Sequence, residues 1–305
     1  MVDPHSLTFK PTAEQRAQMP LFPANRVPRY LFRVYDRYSV GETTEDVTKP
    51  GGAAPDRNTT PVLWADKEAR WKSTRNRDMF SQRREVAAEL LWRHLRWTRD
   101  HEHRCSLVSW SSSLLVVLQY ALFRHKGRKE PPRADLADIN LLVLDTRDFP
   151  PGTFAIDMEL MASFEGIYWR LDKFIEMRRG KVYRFGEWLS QGVLDLRGRC
   201  VQTNMQRLLH DCGAFELVPT MRNKVSWNKW ANAIVEHRRC HFESSLSSSS
   251  SNATHADVRL AIGTAQACFG GRWTAPMAVA LLSLVHRGGE HREDILSGFA
   301  AMFSG

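Results

Sequence analysis

Three stretches of this chain carry the side chains best suited to chemistry: Arg33 inside Tyr30-Leu31-Phe32-Arg33-Val34-Tyr35, the serines of Val108-Ser109-Trp110-Ser111-Ser112-Ser113, and Glu187 ahead of Trp188-Leu189. An arginine in an otherwise apolar strand needs an anionic partner if it is buried. Its planar, permanently charged fork suits a phosphate or pyrophosphate, whereas a purely structural arginine would pair with Asp36 or Asp145. Serine hydroxyls both donate and accept. At a strand-to-helix junction they read either as a helix N-cap or as the floor of a binding cleft, with Ser111 and Ser113 as the alternative register to Ser109 and Ser111. A carboxylate such as Glu187 stabilises positive charge that develops beside it, and Glu159 and Glu165 are its rivals for that part.

The elements that must position these groups follow from periodicity. Tyr30 to Asp36, rich in aromatic and β-branched residues after Pro28, predicts a strand with Arg33 on the face of Leu31 and Tyr35. Ser39 to Asn58 is polar with several Gly and Pro and predicts a long loop. Val86, Leu90, Leu91 and Leu95 recur at helical spacing and predict an amphipathic helix over about Ser81 to Trp97. The serine stretch runs into Leu114 to Ala121, a helix. Ile139 to Asp145 is almost continuously apolar, the pattern of a strand buried on both faces. Phe154 to Ile156 reads as a short strand and Met158 to Met177 as mostly helical. Val182 to Leu189 reads as a strand with Tyr183, Phe185 and Glu187 on one face.

Beyond Cys200 the pattern is helical: Val225 to Phe242, a capped start at Thr254 with Asp257, Thr274 to Val285, and Glu293 to Phe303. The expected organisation is a poorly ordered arm over residues 1–27, an α+β domain over 28–200, and a helical domain over 201–305. Residues 244–252, rich in serine, form a flexible linker within the last.

The order of Leu31-Phe32-Arg33-Val34, Val108-Ser109-Trp110-Ser111, Leu141-Leu142-Val143-Leu144-Asp145 and Glu187-Trp188-Leu189-Ser190-Gln191-Gly192 resembles the Arg-Ser-Glu class of mono-ADP-ribosyltransferases, the group that includes cholera-type toxins. It also resembles uncharacterised fungal domains with the same opening and ending motifs. The resemblance covers roughly residues 28–200 and implies a split antiparallel sheet with flanking helices, followed here by a C-terminal helical subdomain. It implies NAD as substrate, with Arg33 on phosphate and ribose oxygens, Ser109 and Ser111 ordering the nicotinamide pocket, and Glu187 as the catalytic carboxylate. Tyr35, Trp110 or Trp188 would stack on a ring. The reaction implied passes through an oxocarbenium-like sugar, which a neighbouring carboxylate stabilises. Members that modify arginine usually carry an acidic or amide residue two positions before that glutamate. Here the position is Phe185, which favours another protein acceptor, hydrolysis of NAD, or an inactive fold.

Composition limits the alternatives. A hydrophobic fraction of 43% with 25% charged residues is that of a folded globular chain. The first twenty or so residues lack the pattern of a secretory signal, and no apolar stretch reaches the length of a membrane span. An intracellular protein, cytoplasmic or nuclear, with no membrane partner is expected. Five scattered cysteines without a Cys-x-x-Cys pair argue for free thiols. His101, His103 and Cys105, and His237, Cys240 and His241, lack a full zinc ligand set, so no metal site is expected. The net charge of +9 and the basic cluster from Arg70 to Arg84 permit nucleic-acid binding, but no recognition motif accompanies them, and that partner is not expected.

Overall fold

Pairing between the serine strand and the glutamate strand is the spine of the structure, a computed structural model that describes residues 6–18, 27–51, 77–96, 106–127, 133–180, 185–246 and 254–285. The described strands are β1 (Ser6–Leu7), β2 (Tyr30–Tyr35), β3 (Glu42–Thr43), β4 (Val47–Lys49), β5 (Leu107–Ser111), β6 (Asn140–Asp145), β7 (Ala155–Ile156), β8 (Glu187–Gly192), β9 (Leu194–Asp195) and β10 (Cys200–Asn204). The α-helices are α1 (Ala13–Gln18), α2 (Arg84–Leu95), α3 (Leu114–Lys126), α4 (Asp157–Ser163), α5 (Trp169–Arg179), α6 (Ala214–Leu217), α7 (Trp230–Leu246), α8 (His255–Cys268) and α9 (Thr274–Leu282). The protein is a mixed α+β structure with an antiparallel sheet and flanking helices.

The chain divides into two compact units. The first comprises Met1–Arg33, Ser39–Ser112 and Val143–Cys200; the second comprises Val34–Tyr38, Ser113–Leu142 and Val201–Gly305. The sequence suggests one break near residue 200. The second unit also takes in α3, because an apolar helix as thoroughly buried as Leu114–Lys126 packs with other helices, here α7.

In the first unit the strand order is β1-β8-β5-β2-β6, with β7 also on β8. β5 and β8 run antiparallel in register from Leu107↔Gln191 to Ser111↔Glu187. Alternation therefore sets Leu107, Ser109, Ser111, Glu187, Leu189 and Gln191 on one face and Trp110 with Trp188 on the other. The first face is covered by α2, α4 and α5, whose Ala87, Leu91, Leu160, Met161, Leu171, Phe174 and Ile175 form one apolar cluster with Leu107 and Leu189. On the opposite face Trp110 meets Phe154 edge to face, and its indole N–H donates to Ser190 Oγ at 2.9 Å. A separate small sheet joins β3, β4 and β9. In the second unit, the Met205 amide donates to the Ile139 carbonyl at 2.8 Å. Asp36 there holds Arg124 bidentately at 2.8 and 2.6 Å. α8 starts on a capping box of Thr254 and Asp257, as the sequence predicts.

Several expectations need correction. The N-terminal arm is not featureless: Ser6 and Leu7 pair with Gly192 and Gln191, and Phe9 packs into the helix-side cluster against Phe80. An unpaired stretch of β8 backbone and an apolar ring supply the reason, since both are costly to leave in water. The loop after Ser39 contains the β3–β4 hairpin; residues 52–58 lie outside the described residues. Of the strand expected over Val182 to Leu189, residues 182–184 lie outside the described residues, and the described strand runs from Glu187; Gly186 just before it adopts φ +64°, a left-handed turn conformation, so Phe185 is not a strand residue. Of the linker expected at 244–252, residues 244–246 belong to α7, and 247–252 lie outside the described residues. The expected helix at Glu293 to Phe303, residues 70–76 of the Arg70 to Arg84 cluster, and His101, His103 and Cys105 lie outside the described residues.

Phe9→Ala should destabilise the protein by about 3 kcal/mol in urea denaturation, the cost of emptying a buried aromatic site. A change near zero would mean that the arm is not part of the core.

Candidate active site

Ser109 is the point on which the cluster converges. Its backbone direction follows from the β5–β8 ladder. Gly192 N donates to Ser106 O and Ser112 N to Gly186 O, so the paired positions of β5 toward β8 are the even-numbered ones. The carbonyl of Ser109 is therefore turned toward β2, and Arg33 takes it: Nη1 donates to Ser109 O at 2.8 Å and Nε to Thr43 Oγ1 at 3.2 Å. Phe32 pairs with Ser111, which by alternation sets Arg33 on the Trp110 side, with its guanidinium 6.0 Å from the Trp110 ring. Arg33 thus joins the cluster at the seam between strands, through the carbonyl of Ser109.

The hydroxyl of Ser109 points to the helix side and donates to Glu187 Oε1 at 2.9 Å. His94 Nε2 lies 2.8 Å from the same hydroxyl oxygen. Serine has one proton, and with that proton on Glu187 the imidazole is the donor, which fixes the Nε2–H tautomer. Burial first and the Arg33 guanidinium second push the His94 imidazole down to about 4, so it is neutral at physiological pH. The other carboxylate oxygen of Glu187 accepts from Arg178 Nη2 at 3.2 Å, and Arg178 Nη1 reaches Asp157 Oδ2 at 3.4 Å. Arg178 and Asp157 are buried, and the Glu187 side chain is 12% exposed. The result is a row of hydrogen bonds, His94 to Ser109 to Glu187, closed by a buried arginine.

The other predicted site residues have different placements. Ser111 is buried and its hydroxyl donates to the Phe185 carbonyl at 3.2 Å, while Ser112 Oγ donates to Gly186 O at 3.3 Å. These serines fasten the turn before β8. Ser113 caps α3, its side chain accepting from the Val116 amide. Trp110 is a core residue, buried and bonded to Ser190, so it does not present a face for stacking. Trp188, opposite it, is buried as well. The Tyr35 hydroxyl donates to Gln202 within the second unit. The structural pairing considered for Arg33 is taken by other arginines: Asp36 by Arg124, and Asp145 by Arg29 and Arg147. Of the rival carboxylates, Glu165 pairs with Arg179. Glu159 lies in α4 with its carboxyl pushed up to about 7 by burial.

No family model, curated protein or solved structure matches this chain. His94, Arg178 and Asp157 are additions to the candidates read from sequence. A signal for two of them was present: His94 follows Ala87, Leu90 and Leu91, and Arg178 follows Leu171, Phe174 and Ile175, at the +7, +4 and +3 positions that share one helix face. A polar residue on the apolar stripe of a helix marks a buried polar contact. Among the described residues no group of His, Cys, Asp and Glu forms a metal-binding set. Among them also, no helix is long and apolar enough to cross a membrane.

His94 binds its proton more weakly in the folded protein, at about 4, than in the unfolded chain, at 6.5. Between those values the unfolded chain takes up more protons, so its contribution to stability is intact above pH 6.5 and falls away as pH drops toward 4. His94→Asn should flatten that part of the stability–pH curve measured by chemical denaturation; an unchanged slope would place the imidazole in water.

Proposed function

We propose that the protein is an NAD-consuming enzyme of the mono-ADP-ribosyltransferase type, built on a split antiparallel sheet of that kind, with NAD hydrolysis or ADP-ribose transfer as its reaction. The observation that carries this reading is the convergence of Arg33 and Glu187 on Ser109, through its carbonyl and its hydroxyl respectively. These are the residues that the sequence resemblance assigns, drawn from strands that are distant in the chain.

The geometry is compatible with the chemistry. Cleavage of the bond between ribose and nicotinamide leaves positive charge on the sugar, and Glu187 supplies a carboxylate to stabilise it. Ser109 donates to Glu187 Oε1 and so fixes the rotamer of that carboxylate. Each carboxylate oxygen has a second lone pair, so Glu187 retains acceptor capacity for a ribose hydroxyl alongside Ser109 and Arg178. His94, neutral and donating, adds no charge that would oppose a cationic sugar. Arg33 supplies the fixed positive charge that a pyrophosphate needs.

A second reading, an inactive interaction module of the same fold, is favoured by one observation. Arg178 is ion-paired to Glu187 in a nearly dry setting, which offsets part of the charge that catalysis would use.

Purified protein incubated with NAD should release nicotinamide, and Glu187→Gln should lower the rate by about 10²-fold or more, the scale of losing one preorganised electrostatic group. Far-ultraviolet circular dichroism of the variant controls for folding. Equal release by both proteins removes the enzymatic reading, and NAD binding without turnover selects the inactive module.

A further inference from the structure

Arg178 sits in a cage made for a guanidinium. Its Cζ lies 5.0 Å from the Phe174 ring centre and 5.4 Å from that of Phe185, and its nitrogens reach Asp157 and Glu187. Aromatic faces and carboxylates both attract a planar cation that water would otherwise solvate. Phe185 is held in place from the strand side, by the Ser111 hydroxyl on its carbonyl and by the Ser112 amide on Gly186 O. Gly186 is needed at this turn, since a Cβ there would collide with Ser112 Oγ.

We infer that Arg178 is a resident occupant of the acceptor side of Glu187, and that it closes the site to cationic acceptors, leaving an uncharged O–H nucleophile, water or an alcohol, to receive ADP-ribose. The inference rests on the NAD-consuming reading above. An arginine or lysine acceptor would bring a second cation against the Arg178 guanidinium. A carboxylate acceptor would be repelled by Glu187 and has no proton for it to take. An O–H nucleophile fits both charges. In the step, the bond from ribose C1′ to the nicotinamide nitrogen breaks and its electron pair leaves with nicotinamide. The nucleophile's oxygen bonds to C1′, and its proton passes to Glu187 and on to solvent.

The experiment has an arm that needs NAD and an arm that does not. In the first, the wild-type protein is given NAD with agmatine or with methanol, and products are read by mass spectrometry. Free ADP-ribose, methyl ADP-ribose in methanol and unmodified agmatine are expected; ADP-ribosyl-agmatine overturns the acceptor assignment. Absence of nicotinamide release removes the assignment together with the function on which it rests. In the second arm, Arg178→Ala is heated with ethylguanidinium or ethylammonium, with Arg178→Gln as a milder truncation should the alanine variant not fold. Ethylguanidinium should raise the lowered melting midpoint toward wild type and ethylammonium should not. Equal effects of the two cations, or none from either, overturn the cage whatever the outcome with NAD.

Discussion

The carboxylate of Glu187 begins a strand whose face is covered by helices, and much of the first unit is arranged to make that position tolerable. An ionised group taken out of water carries a desolvation cost that only matched charge and hydrogen bonds offset. Ser109 meets one oxygen and Arg178 the other, and Arg178 in turn needs Asp157. Each of these groups is delivered by a different element: β8, β5, α5 and α4. The ion pair is thus a constraint on how the helices lie against the sheet of this unit as much as a contact between two residues.

Packing of α2 and α5 onto the sheet is driven by the apolar cluster around Leu91, Leu107, Phe174 and Leu189, whose burial is non-directional. Such a cluster fixes which faces meet. The polar row at its edge fixes how they meet, because hydrogen bonds fail when donor and acceptor are displaced by an ångström or so. His94 illustrates the coupling: it is carried on the apolar stripe of α2, and its depressed basicity follows from burial and from Arg33.

The two glycine-dependent and serine-dependent features before β8 belong to the same design. Gly186 turns the chain in the left-handed region, and Ser111 and Ser112 clamp the turn to the end of β5. Serines that looked like surplus hydroxyls around Ser109 are consumed in holding Phe185 and Gly186. Of these serines it is Ser109 whose hydroxyl faces a carboxylate. The strand alternation that separates Ser109 from Trp110 also explains why the tryptophan went to the core.

Local sequence determined a good deal here. Strand and helix patterns, which depend on short-range periodicity, located β2, β5, β6, α2, α3 and the capped start of α8. The chemical types Arg33, Ser109 and Glu187 were visible as polar residues in apolar surroundings. What only the tertiary structure decided is register and pairing across long separations in the chain. It set Phe32 against Ser111, so Arg33 reaches Ser109 by its carbonyl, and it gave Asp36 and Asp145 to other arginines. It also brought His94 and Arg178, each only a polar interruption of a helical stripe in the sequence, to opposite ends of the same hydrogen-bonded row. Periodicity is a property of neighbouring residues, whereas a buried charge finds its partner only when distant elements pack.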